Sequence, residues 1–278
     1  MPELPEIENA RRQIERWSGR RKLDAVWVLD PAAVRRALSS RPSDRLEGGA
    51  ERLEALLGRR TTGARRHGKR LAWILGRDAL LFHFGMTGFF TQRKTREDPP
   101  PLARVGFGFG RHAIWFVDGR RFGCLVPIGA DEVDLALRSG QGPDAWDEAP
   151  GGPALHAALG DRRPLKVALM DQERLAGLGN IHTAEALFRA GLHPFRATGS
   201  LAAAEWDRLA RGVREQLRIA NEDLAAEEEV QYVNLGGPNP FQVYGRAEEP
   251  CPACGTPICA EEQAGRTTFW CPGCQPAA

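Results

Sequence analysis

The apolar positions of this chain change period twice. Behind Pro5, the residues Ile7, Ala10, Ile14 and Trp17 recur at helical spacing, which predicts one amphipathic helix running up to Gly19. From Leu23 the runs become short or alternating, at 23–29, 61–66, 71–75, 80–84, 89–91, 104–109, 113–118 and 124–127, with turn residues between them. About eight short strands with few long helices read as a β-sandwich or barrel. Short helices are expected at 31–38, after Asp30-Pro31, and near 51–57. Val105, Phe107 and Phe109 alternate with glycine, as where one face is buried and another backbone approaches closely.

The second change follows 139–153 (SGQGPDAWDEAPGGP), a composition that reads as a linker. Beyond it the pattern is helical. Pro164 stands at a helix start with Leu165, Ala168 and Leu169 on the buried side, and a further helix spans 181–190, ended by Gly191 and Pro194. A long helix over 201–224 carries the stripe Leu209, Val213, Leu217, Ala220 and Leu224. Residues 225–242 read as a long loop.

At 278 residues, 42% of them hydrophobic, the chain is long enough for two domains, or for one with an appendage. It has no apolar run of membrane-spanning length and no basic-then-apolar leader, so a cytoplasmic protein is expected. The net charge is only +2, so any nucleic-acid binding must come from local clustering. Two basic clusters exist, Arg11 to Lys22 and Arg59 to Arg70, although charge runs are usually solvated faces.

Five of the six cysteines lie in the last 28 residues. Cys251-Pro-Ala-Cys254 and Cys271-Pro-Gly-Cys274 have the spacing of four thiolates closing a tetrahedral zinc site on a β-hairpin. Such a metal has no open position and is expected to be structural. The hairpin, 257–270, then acts as a finger with Arg266 near its turn, where a cation can meet a phosphate or simply face water. Cys259 is expected to pack rather than to ligate.

Three other stretches carry possible chemistry. The chain begins Met1-Pro2-Glu3-Leu4-Pro5-Glu6. Removal of Met1 makes Pro2 a secondary-amine nucleophile, titrating near pH 8 like other α-amino groups, roughly 7.7–8.0, with Glu3 and Glu6 beside it for proton transfer. On these six residues alone the plainer reading is a helix start with carboxylates at its positive end. Gly177–Asn180 resembles either a backbone anion cradle or an ordinary helix corner. His83–Gly88 and Asp118–Gly123 place Met86, Arg120 and Phe122 on glycine-rich loops, which suits either core filling or the wedge, cation and stacking ring that base extrusion needs.

Taken in order, MPELPEIE, His67-Gly68-Lys69, HFGMTG, DGRRFG, Lys166…LMDQ…GLGNIHTAEALF, FQVYGR and the cysteine pairs resemble the formamidopyrimidine-DNA glycosylase family, which includes endonuclease VIII. The resemblance covers nearly the whole chain. It implies an α+β multidomain fold: an N-terminal β-sandwich with flanking helices (1–138), the linker 139–153, a helix–two-turn–helix domain with a lesion loop (154–242), and a C-terminal zinc finger (243–278). It implies that Pro2 attacks the sugar C1′, Glu3 shuttles protons and Glu6 is a buried supporting acid. Lys69 assists β-elimination and Arg266 assists δ-elimination. Met86, Arg120 and Phe122 fill the gap left by the flipped base, and Arg104, Lys166 and Asn180 contact DNA. Cys251, Cys254, Cys271 and Cys274 hold one zinc ion.

The chain departs from the family pattern at Asn9, Leu102-Ala103, Asp161 and His182, and through most of the loop 225–242. The implied partner is duplex DNA carrying oxidised bases or abasic sites, bound by a monomer. Three readings stay open: a bifunctional glycosylase/lyase for oxidised purines, an endonuclease VIII-like enzyme for oxidised pyrimidines, and a non-catalytic zinc-ribbon damage binder. Leu4 and the Met86/Arg120/Phe122 set favour the first.

Overall fold

A computed structural model describes residues 2–39, 41–225 and 239–277. The chain divides into two compact units: the first holds the residues up to Ser139 and, among the described residues, also Leu224 and Ala225, and the second holds Gly140 to Asp223 and 239–277. In the first, α1 (Leu4–Ser18) precedes β1 (Ala25–Val28), α2 (Gly49–Glu54) and seven further strands: β2 (Thr61–His67), β3 (Arg70–Leu75), β4 (Asp78–His83), β5 (Phe89–Lys94), β6 (Ala103–Phe109), β7 (His112–Val117) and β8 (Cys124–Gly129). The short α3 (Val133–Arg138) ends the unit.

The strands form two four-stranded sheets, in the orders β1-β6-β7-β5 and β2-β3-β4-β8, and every pairing is antiparallel. Each sheet turns one face to a shared core. Leu71, Trp73, Leu75, Leu80 and Phe82 come from one sheet, Phe90, Val105, Phe107, Phe109, Ile114 and Phe116 from the other, and Ile7, Ala10 and Ile14 from α1. The alternation seen in the sequence is thus the in-out alternation of a sandwich. The glycines of β6 have a different cause from the expected backbone approach. A Cβ on Gly106 would lie 2.4 Å from the Trp115 ring, and one on Gly108 would lie 2.9 Å from the Ala25 side chain.

The helix expected at 31–38 is a single 3-10 turn, Pro31–Ala33. Val34 and Arg35 instead make isolated bridges to Leu125 and Arg45, so strand-like pairing overrides local propensity there.

The second unit carries α4 (Gly152–Leu159), α5 (Leu165–Leu169), α6 (Asn180–Ala190), α7 (Ala203–Ala225), and a hairpin of β9 (Cys259–Gln263) and β10 (Arg266–Trp270). The helix α4 begins inside the stretch that reads as linker, because Pro153 occupies its first turn, a position proline tolerates. Of the loop 225–242, Ala225 ends α7, 226–238 lie outside the described residues, and 239–242 have no regular structure. The finger packs on α6 through Ala184, Val243, Cys251, Ile258 and Cys271. No described helix is long and apolar enough to cross a membrane.

Candidate active site and nucleic-acid interface

In the first unit the site starts at the head of α1. Glu3 is the N-cap residue. Its backbone N–H donates to Glu6 Oε2 at 2.9 Å, while its own carboxylate accepts the N–H of Glu6. This reciprocal box satisfies two backbone donors that a helix start otherwise leaves open. It fixes the direction in which the chain leaves the helix toward Pro2, and Pro2 and Glu3 are both buried. Glu6, expected to be buried, is half-buried, because its carboxylate folds back onto the helix end.

Lys69 lies on the two-residue turn between β2 and β3, beside Gly68, whose φ of 55° suits glycine. A fully buried guanidinium ties this turn to α1. Arg66 donates to Glu8 Oε2 at 3.3 Å and to the Gly68 carbonyl at 3.2 Å. Burial alone would raise the Glu8 pKa. The hydrogen bond and charge of Arg11, with the charges of Arg66 and Arg12, outweigh it and hold the carboxyl below its usual range. His83, which the motif reading passed over, closes β4 opposite Arg70. Burial, then the positive charges of Arg70 and Lys69, push its pKa down against the opposing pull of Asp118, and the lowered pKa favours the neutral imidazole. Its place at a strand end directly before a glycine loop was the available signal.

The next two loops come together at Gly85. A Cβ there would stand 2.6 Å from Gly123 N and 2.7 Å from the Phe122 carbonyl carbon, so backbone packs on backbone. Asp118 organises both loops. Buried, it accepts from Thr87 Oγ1 at 2.5 Å, from Arg120 N at 3.2 Å and from Gly123 N at 2.6 Å. The result presents Met86, 36% exposed, and Phe122, 42% exposed, with the Arg120 guanidinium 5.3 Å from the Phe122 ring centre. The core-filling alternative for these side chains therefore fails. A cavity of 680 Å³ opens beside them, lined by His83, Gly85, Met86 and Phe122 and by Ala37, Leu38 and Asp44.

Arg104 is not on this surface. Its guanidinium is buried, 2.6 Å from Asp30 Oδ2 and 3.8 Å from Asp118 Oδ2, and it braces the loops from behind. Arg121 joins Asp30 from outside at 2.7 Å.

Much of the basic sequence is consumed internally. Arg59 pairs with Asp78, Arg65 with Asp134, and Arg11 with Glu8 and Glu15. Arg70 donates to the carbonyls of Ala136, Leu137 and Ser139, closing the C-terminal end of α3.

In the second unit, the Sγ atoms of Cys251, Cys254, Cys271 and Cys274 all lie within 4.8 Å of one another. The edges of a zinc–thiolate tetrahedron, about 3.8 Å for bonds of about 2.3 Å, match the 3.9 Å between Cys251 and Cys274 and approach the 3.4 Å between Cys254 and Cys271. The four thiols therefore fit a tetrahedral ion. Cys259 pairs with Trp270 on the hairpin and stands apart from the cluster.

Arg266 opens β10 after the turn Ala264-Gly265 and is exposed. Lys166 and Asn180 converge on this strand. Lys166 Nζ lies 2.6 Å from Thr268 Oγ1 and 3.1 Å from Thr267 O, and Asn180 Nδ2 donates to Thr267 O at 3.0 Å. At the glycine corner, Gly177 N–H is already donated to Gln172 Oε1 at 3.0 Å, so that amide belongs to a braced helix corner and not to an anion cradle.

Sequence reasoning missed Glu185. Buried on α6, it accepts the consecutive N–H groups of Gln242, Val243 and Tyr244, each at 2.9 Å, and fixes the entry to the finger. His182 is buried with Nδ1 3.1 Å from Gln216 Nε2. Asp161 pairs with Arg163 and Arg174.

Family models match the chain in three consecutive parts. They are the formamidopyrimidine-DNA glycosylase N-terminal domain (residues 1–125), the formamidopyrimidine-DNA glycosylase H2TH domain (142–228), and the zinc finger found in FPG and IleRS (248–277). A formamidopyrimidine-DNA glycosylase of Acidothermus cellulolyticus is 38% identical over 287 aligned residues, covering 99% of this chain and 98% of the relative. Among solved structures, the Lactococcus lactis protein complexed with DNA containing N7-benzyl-Fapy-dG is 28% identical and superposes with a TM-score of 0.85. The alignment covers 99% of this chain and all of that one. The same L. lactis protein complexed with DNA containing an oxidised pyrimidine is 27% identical, with a TM-score of 0.85 and the same coverage.

Proposed function

The chain belongs to the formamidopyrimidine-DNA glycosylase family, and from that membership we propose that it is a base-excision repair glycosylase and abasic-site lyase for oxidised purines such as 8-oxoguanine and formamidopyrimidines. Residues 1–138 carry the chemistry, 139–153 link, 154–242 grip DNA, and 243–278 form a finger around one zinc ion. The protein acts as a monomer on damaged duplex DNA.

The Pro2 nitrogen, freed by removal of Met1, attacks C1′. The bond from C1′ to the base breaks, and the departing base takes a proton. Loss of the nitrogen proton and opening of the sugar ring, with Glu3 as the shuttle, give an iminium between Pro2 and C1′. That cation acidifies C2′–H. Removal of this proton expels the 3′-phosphate, and a second elimination expels the 5′-phosphate. Hydrolysis then frees Pro2.

The remaining residues have supporting roles in this scheme. Lys69 and Arg266 steady the phosphates at the two eliminations, and Asn180 lies with Arg266 on the phosphate side. Met86, Arg120 and Phe122 occupy the gap in the duplex. A zinc ion held by Cys251, Cys254, Cys271 and Cys274 would brace the finger, and four thiolate ligands would leave it no open position for substrate.

The observation that carries this reading is Pro2 itself, held at the buried head of α1 by the Glu3–Glu6 box and linked through Glu8 and Arg66 to the turn bearing Lys69. The test is product analysis on duplexes containing 8-oxoguanine, a formamidopyrimidine or an oxidised pyrimidine. The expected result is release of the free purine lesion with phosphate at both ends of the gap. Faster release of the pyrimidine lesion would favour the endonuclease VIII-like reading, and tight binding without release would leave the damage-binding reading.

A further inference from the structure

We propose that Lys166 is a positioning residue for Arg266, holding the first residues of β10 in place, and that it does not bind a DNA phosphate. The proposal rests on the reading above, in which Arg266 serves the second elimination. Lys166 is 1% exposed. Its ammonium has three N–H donors and three acceptors on consecutive residues of one strand: Arg266 O at 3.5 Å, Thr267 O at 3.1 Å and Thr268 Oγ1 at 2.6 Å. That coordination leaves no donor directed at a phosphate.

The acceptors are themselves fixed. Thr268 is 1% exposed and its hydroxyl donates across the hairpin to Gln263 Oε1 at 3.3 Å. Thr267 O also receives Asn180 Nδ2. On the other side, Lys166 N donates to Pro194 O at 3.2 Å, which anchors the base of the side chain.

The energetics point the same way. Burial, and then the neighbouring Arg266 charge, pull the Lys166 pKa down to about 8. A buried cation beside another cation persists only where its acceptors compensate, and here every acceptor belongs to the finger. A two-stranded ribbon is marginal alone, needing packing or further strands for stability. Ties at 266, 267 and 268 therefore decide where the Arg266 guanidinium can reach. Misplacing a reacting or charge-stabilising group by about 1 Å can cost on the order of 100-fold in rate.

The test compares Lys166→Met, which keeps the stem and removes the ammonium, with Arg266→Ala and the double variant, each in full-length zinc-loaded protein on abasic duplex. Borohydride trapping should stay within about twofold of wild type for Lys166→Met, while the ratio of δ- to β-elimination product falls about tenfold, as expected from a small displacement. The double variant should be no worse than Arg266→Ala alone. Backbone amides of 264–268 should exchange faster in Lys166→Met, and also in Thr268→Val, which removes one acceptor and keeps the test open if the first variant folds poorly.

The proposal is overturned if the losses of the two single variants add, if amide exchange is unchanged in both the Lys166 and Thr268 variants, or if Lys166→Met lowers the salt slope of DNA binding by about 0.9, the signature of one lost phosphate contact. Full δ-elimination by Arg266→Ala would instead remove the role of Arg266 on which the proposal depends.

Discussion

The two residues whose replacement is most informative are Pro2, the proposed nucleophile, and Asp118, the acceptor that holds the two loops. Pro2→Gly leaves a primary amine with a looser backbone, and lyase activity on abasic DNA should fall at least about 100-fold, comparable to loss of a positioned catalytic group. A quantitative nicking assay checks this. Asp118→Ala removes the acceptor of Thr87, Arg120 and Gly123 and leaves buried Arg104 with one carboxylate partner fewer. A buried charged hydrogen-bonding group lost in this way costs about 2–3 kcal/mol, so the variant should melt several degrees lower and excise lesions poorly, while nicking abasic DNA more nearly normally.

Pro2, Glu3 and Lys69 stand out in the sequence as candidates because they sit in compact motifs. Glu8 with Arg66, and Asp118 with Arg104, do not. The first pair closes across 58 residues, and no local pattern reports such a distant partner. For the same reason Arg104 and Lys166 were expected to contact DNA, although both are buried and committed to acceptors inside their own units.

At the scale of elements, all eight sandwich strands could be read because short apolar or alternating runs between turn residues mark strands, and β3, β4, β6 and β7 read as apolar runs because they are buried on both faces. The 31–38 segment could not, since its pairing with 125 and 45 is tertiary. Nor could α4, hidden by the Gly152-Pro153 pair at its start.

Two elements carry testable consequences. The finger is expected to depend on a metal held by its four cysteines, because a two-stranded hairpin has little else to close it. Cys254→Ser should lose zinc and with it most DNA binding, read by metal analysis and fluorescence anisotropy, and full affinity in zinc-free protein would contradict this. The helix α1 depends on Glu8. The pKa of its carboxyl is lower in the folded chain than the ordinary 4.5, so its contribution is complete above that value and is lost as pH falls through the folded pKa. Glu8→Gln should melt below wild type at neutral pH. The two curves should converge only as the pH falls through the folded pKa, below the ordinary 4.5, which thermal melts from neutral into acid pH would show.

The whole molecule joins a nearly neutral net charge of +2 to a DNA partner. Most arginines of the two basic clusters are spent on carboxylates or backbone carbonyls, so those clusters offer fewer phosphate contacts than their charge count suggests. With about four phosphates neutralised, the log–log salt slope of binding should be about −4, and a slope near −10 or near zero would contradict that allocation. Lesion preference was not legible at this scale either, because it is a property of the folded pocket and of loop residues that depart from the family pattern.

The central claim is that the Pro2 nitrogen becomes covalently joined to the sugar, and borohydride trapping tests it most directly. Reduction during reaction with abasic or 8-oxoguanine duplex should give a stable protein–DNA adduct, and peptide mapping should place the bond on Pro2 as the first residue. An adduct mapped to a lysine, or none from protein shown to have lost Met1, would contradict the account.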